Sequence, residues 1–240
     1  MKKPTNAVLD GDIIAWKTAF VVDTEGDLSI DGLVAGIVKK WTTKGIKKVK
    51  IALSSSTNFR KKVFPDYKAN RKDVYKPDCL NDVFDFINDN YKILKLKDLE
   101  ADDILGIYSS NGKAISVSID KDLKGVTGWL FNPEKDTEPR YISEEDAEKW
   151  FCTQWMAGDS TDGIPGLWRV GKKTAGKLLA EWDREKWYEN IVDMYSDEKY
   201  APRIETECED ICLCMGQCVR ILQKDNYDLK NNKIIKMWSP

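Results

Sequence analysis

Asn6-Ala-Val-Leu-Asp10-Gly-Asp12-Ile-Ile14 is the stretch on which the architecture turns. Ala7, Val8 and Leu9 form an unbroken apolar run, too short for a helix and closed by an acid and a glycine. Such a run reads as a strand buried on both faces, as strands of parallel sheets are. Asp12 then stands where a helix beginning at Ile13 would take its cap. Asp10 falls at the carboxyl end of the strand, the edge where open α/β sheets place their binding sites.

Working outward, residues 31–43 repeat apolar side chains at helical spacing (Leu33, Val34, Ile37, Val38, Trp41) up to Gly45. Lys48-Val-Lys-Ile-Ala-Leu53 reads as a second strand, followed by a polar and then basic loop to about Lys76. Pro77 is placed to open a helix through Val83, Phe84 and Ile87. Leu99–Tyr108 reads as a further helix, Ala114–Ile119 as a third strand and Val126–Phe131 as a fourth. Strands alternating with helices predict an α/β fold with a mainly parallel sheet. From Ser143 the pattern turns helical, with Trp150, Phe151 and Trp155 on one face. The expected division is an α/β core over 1–142 and a helical part over 143–240.

The bulk numbers exclude several classes. With 42% hydrophobic and 32% charged residues, the composition is that of an ordinary globular protein. No run of about 18 apolar residues is present, and the start lacks the apolar core of a secretory signal. The expectation is therefore a cytoplasmic protein without a membrane partner. Of the six cysteines, Cys208, Cys212, Cys214 and Cys218 match no C-x-x-C knuckle and read as small apolar residues on a helix. The chain has no histidine, which rules out a histidine general base or a His-rich metal site.

Net charge is −2, but its distribution matters more than its sum. Acidic residues gather at Asp10, at Glu100, Asp102 and Asp103, at Asp120 and Asp122, and at Asp159 and Asp162. Without those eight charges the remainder carries +6. Residues 60–76 hold seven basic residues against two acidic ones, and residues 163–180 hold four basic residues and no acid. An acidic pocket flanked by basic stripes suits a metal-dependent enzyme acting on a polyanion.

Asp120 follows the third strand, and Asp122 lies two residues on, so an extended backbone points both the same way. Glu100 and Asp103 share one helix face with Asp102 beside it. Asp159 and Asp162 frame a glycine-rich turn. Any one of these groups alone reads equally as a helix cap or a solvated face. Together they are costly unless cations offset them, and oxygen ligands in this number suit Mg²⁺ or Mn²⁺. Two such ions roughly 4 Å apart activate water and stabilise the leaving oxygen in phosphodiester cleavage.

The basic stretches supply the other half of a substrate site. In Phe59-Arg60-Lys61-Lys62-Val-Phe64-Pro-Asp-Tyr67-Lys68, cations such as Arg60 and Lys61 can contact phosphates, and Tyr67 or Phe64 can stack on an unpaired base. In Ile164-Pro-Gly166-Leu-Trp-Arg-Val-Gly171-Lys172-Lys173-Thr174-Ala175, a Pro-Gly turn leads to a helix start that presents amides to an anion. Such a segment grips nucleic-acid backbone without reading bases. A plain helix–turn–helix packing unit would share the pattern.

These residues resemble the 5′-nuclease family, which includes phage 5′→3′ exonucleases, flap endonucleases and the 5′-nuclease domain of bacterial DNA polymerase. The likeness rests on Leu9-Asp-Gly-Asp12, Phe59-Arg60 through Tyr67-Lys-Ala-Asn-Arg71, Glu100-Ala-Asp-Asp103, Ile119-Asp-Lys-Asp-Leu123, Gly158-Asp-Ser-Thr-Asp-Gly-Ile-Pro-Gly166 and Gly171-Lys-Lys-Thr-Ala175, in family order. Gly216-Gln-Cys-Val-Arg-Ile-Leu222 and Trp238-Ser-Pro240 are similar to exonucleases of short-tailed, T-odd-type phages. The resemblance implies a PIN-like core, a basic arch at about 60–80, and a helix–three-turn–helix at about 155–182 that binds duplex backbone and often K⁺. It implies one metal region around Asp10, Glu100, Asp102, Asp103 and Asp120, and a second around Asp122, Asp159 and Asp162. Lys68 and Arg71 match the family's active-site cations.

The activity implied is a 5′→3′ exonuclease with flap- and primer-removing (RNase H-like) action on duplex DNA and RNA·DNA hybrids in phage replication. The protein is expected to be a monomer, with a phage single-strand-binding protein as a candidate partner. One departure stands out: the family's aspartate after the second strand is missing, and Ser55 falls nearest to it, with Asp12 a candidate to supply the charge. Two other functions remain open on the residues alone, a PIN-type ribonuclease and a non-catalytic DNA-structure-binding protein.

Overall fold

The computed structural model describes residues 2–26, 28–206 and 208–240. Strand β1 (Asn6–Asp10) lies at the centre of a six-stranded sheet. It pairs in parallel with β2 (Lys48–Ala52), which pairs with β3 (Ile93–Leu94). On its other side β1 pairs in parallel with β4 (Ile115–Val117), followed by β5 (Gly128–Phe131) and the antiparallel edge strand β6 (Arg140–Ile142). The mainly parallel α/β sheet expected from the sequence is present.

Alternate side chains of β1 enter different cores, which is why the run is apolar throughout. Ala7 and Leu9 pack with α1 (Gly11–Glu25), α2 (Ile30–Trp41) and α4 (Leu80–Asn90), through Ile14, Val34 and Val83 among others. Val8 faces α5 (Ala101–Ser110), through Ile104, Leu105 and Ile107, in a core closed by Ile221 and Leu222 from the C-terminal tail. The tail is therefore part of the α/β body, and the chain's two halves are interleaved rather than consecutive. The basic loop contains a one-turn helix, α3 (Arg60–Val63).

A separate aromatic core builds the helical part. It gathers α6 (Glu144–Ala157), α7 (Lys172–Glu181), α8 (Trp187–Ser196) and α9 (Ile211–Val219) around Phe151, Trp155 and Trp238. Trp238 stands edge-on to Phe151 and Trp155, with centroids 4.9 and 4.6 Å apart. Phe64 and Tyr67 from the basic loop are buried in this core as well. Two hairpins interrupt the region expected to be helical: β7 (Gly158–Asp159) with β8 (Ile164–Pro165), and β9 (Tyr227–Asp228) with β10 (Lys233–Ile234).

Several boundaries move from their sequence positions. The first helix begins at Gly11, and Asp10, not Asp12, caps it, accepting the Ile13 N–H at 3.1 Å. The third strand is shorter than expected, Ile115–Val117, and just beyond it the Ser118 hydroxyl turns to Asp10. The helix after Pro77 starts only at Leu80. Of the four clustered cysteines, Cys212, Cys214 and Cys218 are on α9, while Cys208 precedes it. All six cysteines are free.

Candidate active site

Three chain segments reach the carboxyl edge of the sheet together. Asp10 ends β1, Ser54 lies just beyond β2, and Ser118 to Asp120 follow β4. Asp10 is 2% exposed and accepts the Ser118 hydroxyl at 2.7 Å in addition to its cap bond. Burial first, then the neighbouring Asp12, pushes its carboxyl up to about 7 against the pull of those hydrogen bonds. Asp102, at the second position of α5, is driven well above the carboxylate range by burial and by Asp120, Asp10 and Glu100. Asp122 rises to about 6 by burial and by Asp120.

Asp120 ties the two sides together by accepting the Asp122 N–H at 2.8 Å. One oxygen of Asp122 is buried with no hydrogen-bond partner. Asp10, Asp102, Asp120 and Asp122 thus form a run of acids that repel one another and meet no internal cation in an ion pair among the described residues. No three acidic side chains among the described residues converge tightly enough to enclose an ion alone.

Asp12, which the sequence offered both as a helix cap and as a source of the charge missing at Ser55, lies among these acids. Its carboxylate accepts both the Ser54 N–H, at 3.1 Å, and the Ser54 hydroxyl. Burial raises its carboxyl, with Glu100 adding to the rise and Lys68 opposing it. Ser54 also accepts the Ala101 N–H at 3.0 Å, joining the ends of β2 and α5. The Ser55 hydroxyl bonds only Thr57 within its own loop, so Ser54 is the serine whose side chain meets Asp12. Neither Ser54 nor Ser118 carried a sequence signal, because a hydroxyl acquires its meaning only from the strand end it occupies.

The cations fall into a bridge over the acids. Lys68 Nζ pairs with Glu100 and lies 3.6 Å from Asp162, so one ammonium links two acidic groups that are 62 residues apart in sequence. Burial alone would raise Glu100, but Arg60 and Lys68 outweigh it and hold its carboxyl at about 2. Arg71 pairs with Asp162 and donates to the Thr161 carbonyl at 3.1 Å. Lys68 adopts φ of 59°, a left-handed conformation that a non-glycine residue keeps only when its surroundings impose it. Here the Asp162 carbonyl accepts the Lys68 N–H at 2.7 Å and holds the turn.

Four expectations need correction. Asp103, expected beside a metal, is 0% exposed and saturated: its oxygens take both ends of the Arg60 guanidinium at 2.7 and 2.8 Å, Leu222 N–H at 3.0 Å and Glu100 N–H at 3.2 Å. Its place at the third position of α5 closes a capping box with Glu100 and turns it away from the other acids. Arg60, expected on phosphates, is 2% exposed and also donates to the carbonyls of Cys218 and Arg220. Tyr67, expected to stack on a base, is 2% exposed, with its hydroxyl 2.7 Å from Glu100 and 3.1 Å from Asp162. In the basic segment 60–80, the longest exposed run narrows to 70–76, while Lys61 and Lys62 stay exposed.

The Pro-Gly and Gly-Lys-Lys segment lies between α6 and α7 as the sequence suggested. Gly166 is required by close backbone packing, since a side chain there would meet the backbone of Ala157 at 2.2 Å. Gly171 caps α7 without a side-chain bond and faces open space. Lys172, Lys173 and Thr174 are exposed in the first turn. Lys172 and Lys124 both lie over the Trp150 ring, 5.8 and 4.8 Å from its centroid. Asp159 accepts the Thr161 N–H at 2.8 Å in the loop between β7 and β8.

Residues 7–145 match the model of the 5'-3' exonuclease, N-terminal resolvase-like domain. The chain belongs to the 5'-3' exonuclease family. It is 34% identical over 227 residues to the exonuclease of Escherichia phage T7, covering 79% of this chain and 73% of that one. With the exodeoxyribonuclease of Enterobacteria phage T3 it shares 32% identity over 227 residues, covering 79% and 72%. Its fold is similar to that of the bacteriophage T5 flap endonuclease, solved with DNA and metal ions, at a TM-score of 0.62 and 14% identity over 89% of this chain and 88% of that one. The PIN-like fold expected from the motifs is present.

Proposed function

We propose that this chain is a 5′→3′ nuclease that hydrolyses phosphodiester bonds at the 5′ ends and flaps of duplex DNA with divalent metal ions. The observation that carries the reading is the bridge of Lys68 between Glu100 and Asp162, set beside the uncompensated acids Asp10, Asp102, Asp120 and Asp122. Excess negative charge with an orphaned carboxylate oxygen fits a hard divalent cation better than any internal partner. Mg²⁺ and Mn²⁺ bind through few carboxylates each and keep several waters, which suits acids spread along one edge in this way.

Asp10, Asp102 and Asp120 are assigned to one ion and Asp122 and Asp159 to a second, with Asp12 supplying the charge that Ser55 lacks. Asp103 leaves the ligand set, and Asp162 and Glu100 serve first as partners of the cations. Bound metal supplies an activated water and charge stabilisation on the leaving oxygen. Lys68 and Arg71 neutralise charge developing on the scissile phosphate, and the acids orient them until substrate arrives. Lys172, Lys173 and Thr174 hold duplex backbone at the start of α7. Action on RNA·DNA hybrids, a K⁺ ion in the turn between α6 and α7, a monomeric state, a cytoplasmic location and a single-strand-binding partner complete the proposal.

Digestion of 5′-labelled duplex DNA with Mg²⁺, Mn²⁺ or chelator tests the reading. Metal-dependent release of label by the wild type, with Asp120→Ala slower by at least a hundredfold, is expected. Equal rates for the two proteins would overturn it.

A further inference from the structure

A second charged feature lies at the opposite end of the sheet from the acids. A cavity of about 580 Å³ opens at the amino-terminal ends of β1, β2 and β4, lined by Pro4, Ala7, Val8, Tyr108 and Ala114 below and by lysines above. The four lysines come from three segments of the chain: Lys48 and Lys50 from β2, Lys92 just before β3 and Lys113 just before β4. No acidic side chain lines the cavity, and none of the four lysines forms an ion pair among the described residues. Asn6 and Asp10 are the two ends of β1, so about 13 Å of strand separates this cavity from the acids.

The chemistry of the lining selects among anions. There is no arginine, so no planar fork is present to grip a phosphate in two places. The one aromatic ring, Tyr108, is half-buried with Lys50 over it at 5.6 Å from the centroid, so a base finds no pair of rings to stack between. Lysine ammoniums on flexible stems tolerate carboxylates at varied positions, and the apolar floor accepts one side chain of a partner. Alternation in Lys48-Val-Lys-Ile explains how the face arose: Val49 and Ile51 enter the core with α4, which leaves Lys48 and Lys50 on the other side.

We propose that this cavity is a docking site for an acidic peptide segment of a partner protein, with an apolar or aromatic side chain seated beside Tyr108 and carboxylates on the four lysines. Its position leaves the edge with Asp10 and Lys68 open, so partner and nucleic acid bind at the same time.

The test uses a fluorescein-labelled ten-residue oligo-aspartate peptide with one central phenylalanine, measured by anisotropy in chelator. Three controls accompany it: the same peptide without phenylalanine, a labelled ten-nucleotide oligo-dT, and the Lys172→Glu/Lys173→Glu variant. Lys48→Glu/Lys50→Glu/Lys113→Glu is expected to weaken the phenylalanine peptide at least tenfold, while Lys172→Glu/Lys173→Glu changes it less than twofold. The milder Lys48→Ala/Lys92→Ala/Lys113→Ala should weaken it at least threefold with an unchanged melting temperature. The peptide lacking phenylalanine should bind at least fivefold less tightly. Equal loss in both charge-reversal variants, or no preference for phenylalanine, would reduce the site to a general basic surface. Tighter binding of oligo-dT through the same lysines would replace the peptide by a nucleic-acid strand. Nuclease activity of the Lys48/Lys50/Lys113 variant should match the wild type whichever way peptide binding falls, which separates this inference from the proposed activity.

Discussion

Asp102 and Asp103 are adjacent in sequence, yet their amides should move stability in opposite directions. Asp103→Asn leaves the fold its capping geometry but places an amide nitrogen against a guanidinium that is 2% exposed. Arg60 then keeps Glu100 at 3.3 Å and the carbonyls of Cys218 and Arg220, and loses its one two-pronged partner. Breaking a buried pair from one side costs about 3–5 kcal/mol. In a chain of this size that corresponds to a fall of roughly 6–20 °C in melting temperature. Because the pair lies away from the acids assigned to metal, the deficit should be the same in chelator and in Mg²⁺.

Asp102→Asn should do the reverse in metal-free protein. Burial and three neighbouring acids hold the Asp102 carboxyl well above its unfolded value. A group raised in this way stabilises the fold only while protonated, and that stability is lost as pH rises through the folded value. At pH 8 an asparagine removes the repulsion, so the variant should melt above wild type in chelator and lose that advantage in Mg²⁺. Differential scanning calorimetry of both variants, with and without Mg²⁺ at pH 8, reads the two signs. Shifts of the same sign, or a loss below about 1 kcal/mol for Asp103→Asn, would refute the assignment of one aspartate to the fold and the other to the site.

The remaining expectations follow from the same geometry. In chelator, wild-type stability should fall from about pH 5 to about pH 7, because the folded chain keeps protons on Asp10, at about 7, and Asp122, at about 6, that the unfolded chain has already released. Asp10 alone contributes on the order of 4 kcal/mol at most. Glu100, held at about 2, contributes the opposite sign only below pH 5, so a rise in melting temperature over pH 5–8 would contradict the acid cluster. Lys68→Ala should lower single-turnover cleavage about 10²–10³-fold with duplex affinity changed less than threefold. An equal loss of both would make Lys68 a plain phosphate contact. Lys172→Glu/Lys173→Glu should weaken duplex binding alike for all sequences and lower the salt slope by about 2, as measured by titration at several ionic strengths. A loss confined to some sequences would show base reading instead.

What the sequence made legible, and what it hid, separates along one physical line. β1 was readable because burial on both faces leaves an apolar run in the residues themselves, and β2 because Val49 and Ile51 alternate with Lys48 and Lys50. β3 and β6 were not, since an edge strand of two or three residues has too few side chains to show a period. The acids at strand ends were readable as a group because each group follows or opens an element. Their individual roles were not, because role depends on which oxygen meets which cation. Asp103 and Arg60 each fit a functional motif by type and spacing, and only the approach of Cys218, Arg220 and Leu222 from the far end of the chain shows that both are structural. That approach also explains the acid at this position: a guanidinium buried between the basic loop and the tail needs a full negative charge, and Asp103 is the acid that reaches it. The cations proposed to act on the scissile phosphate depend on this pair indirectly. Arg60 anchors the start of the loop whose later turn carries Lys68, so the buried ion pair positions the exposed one.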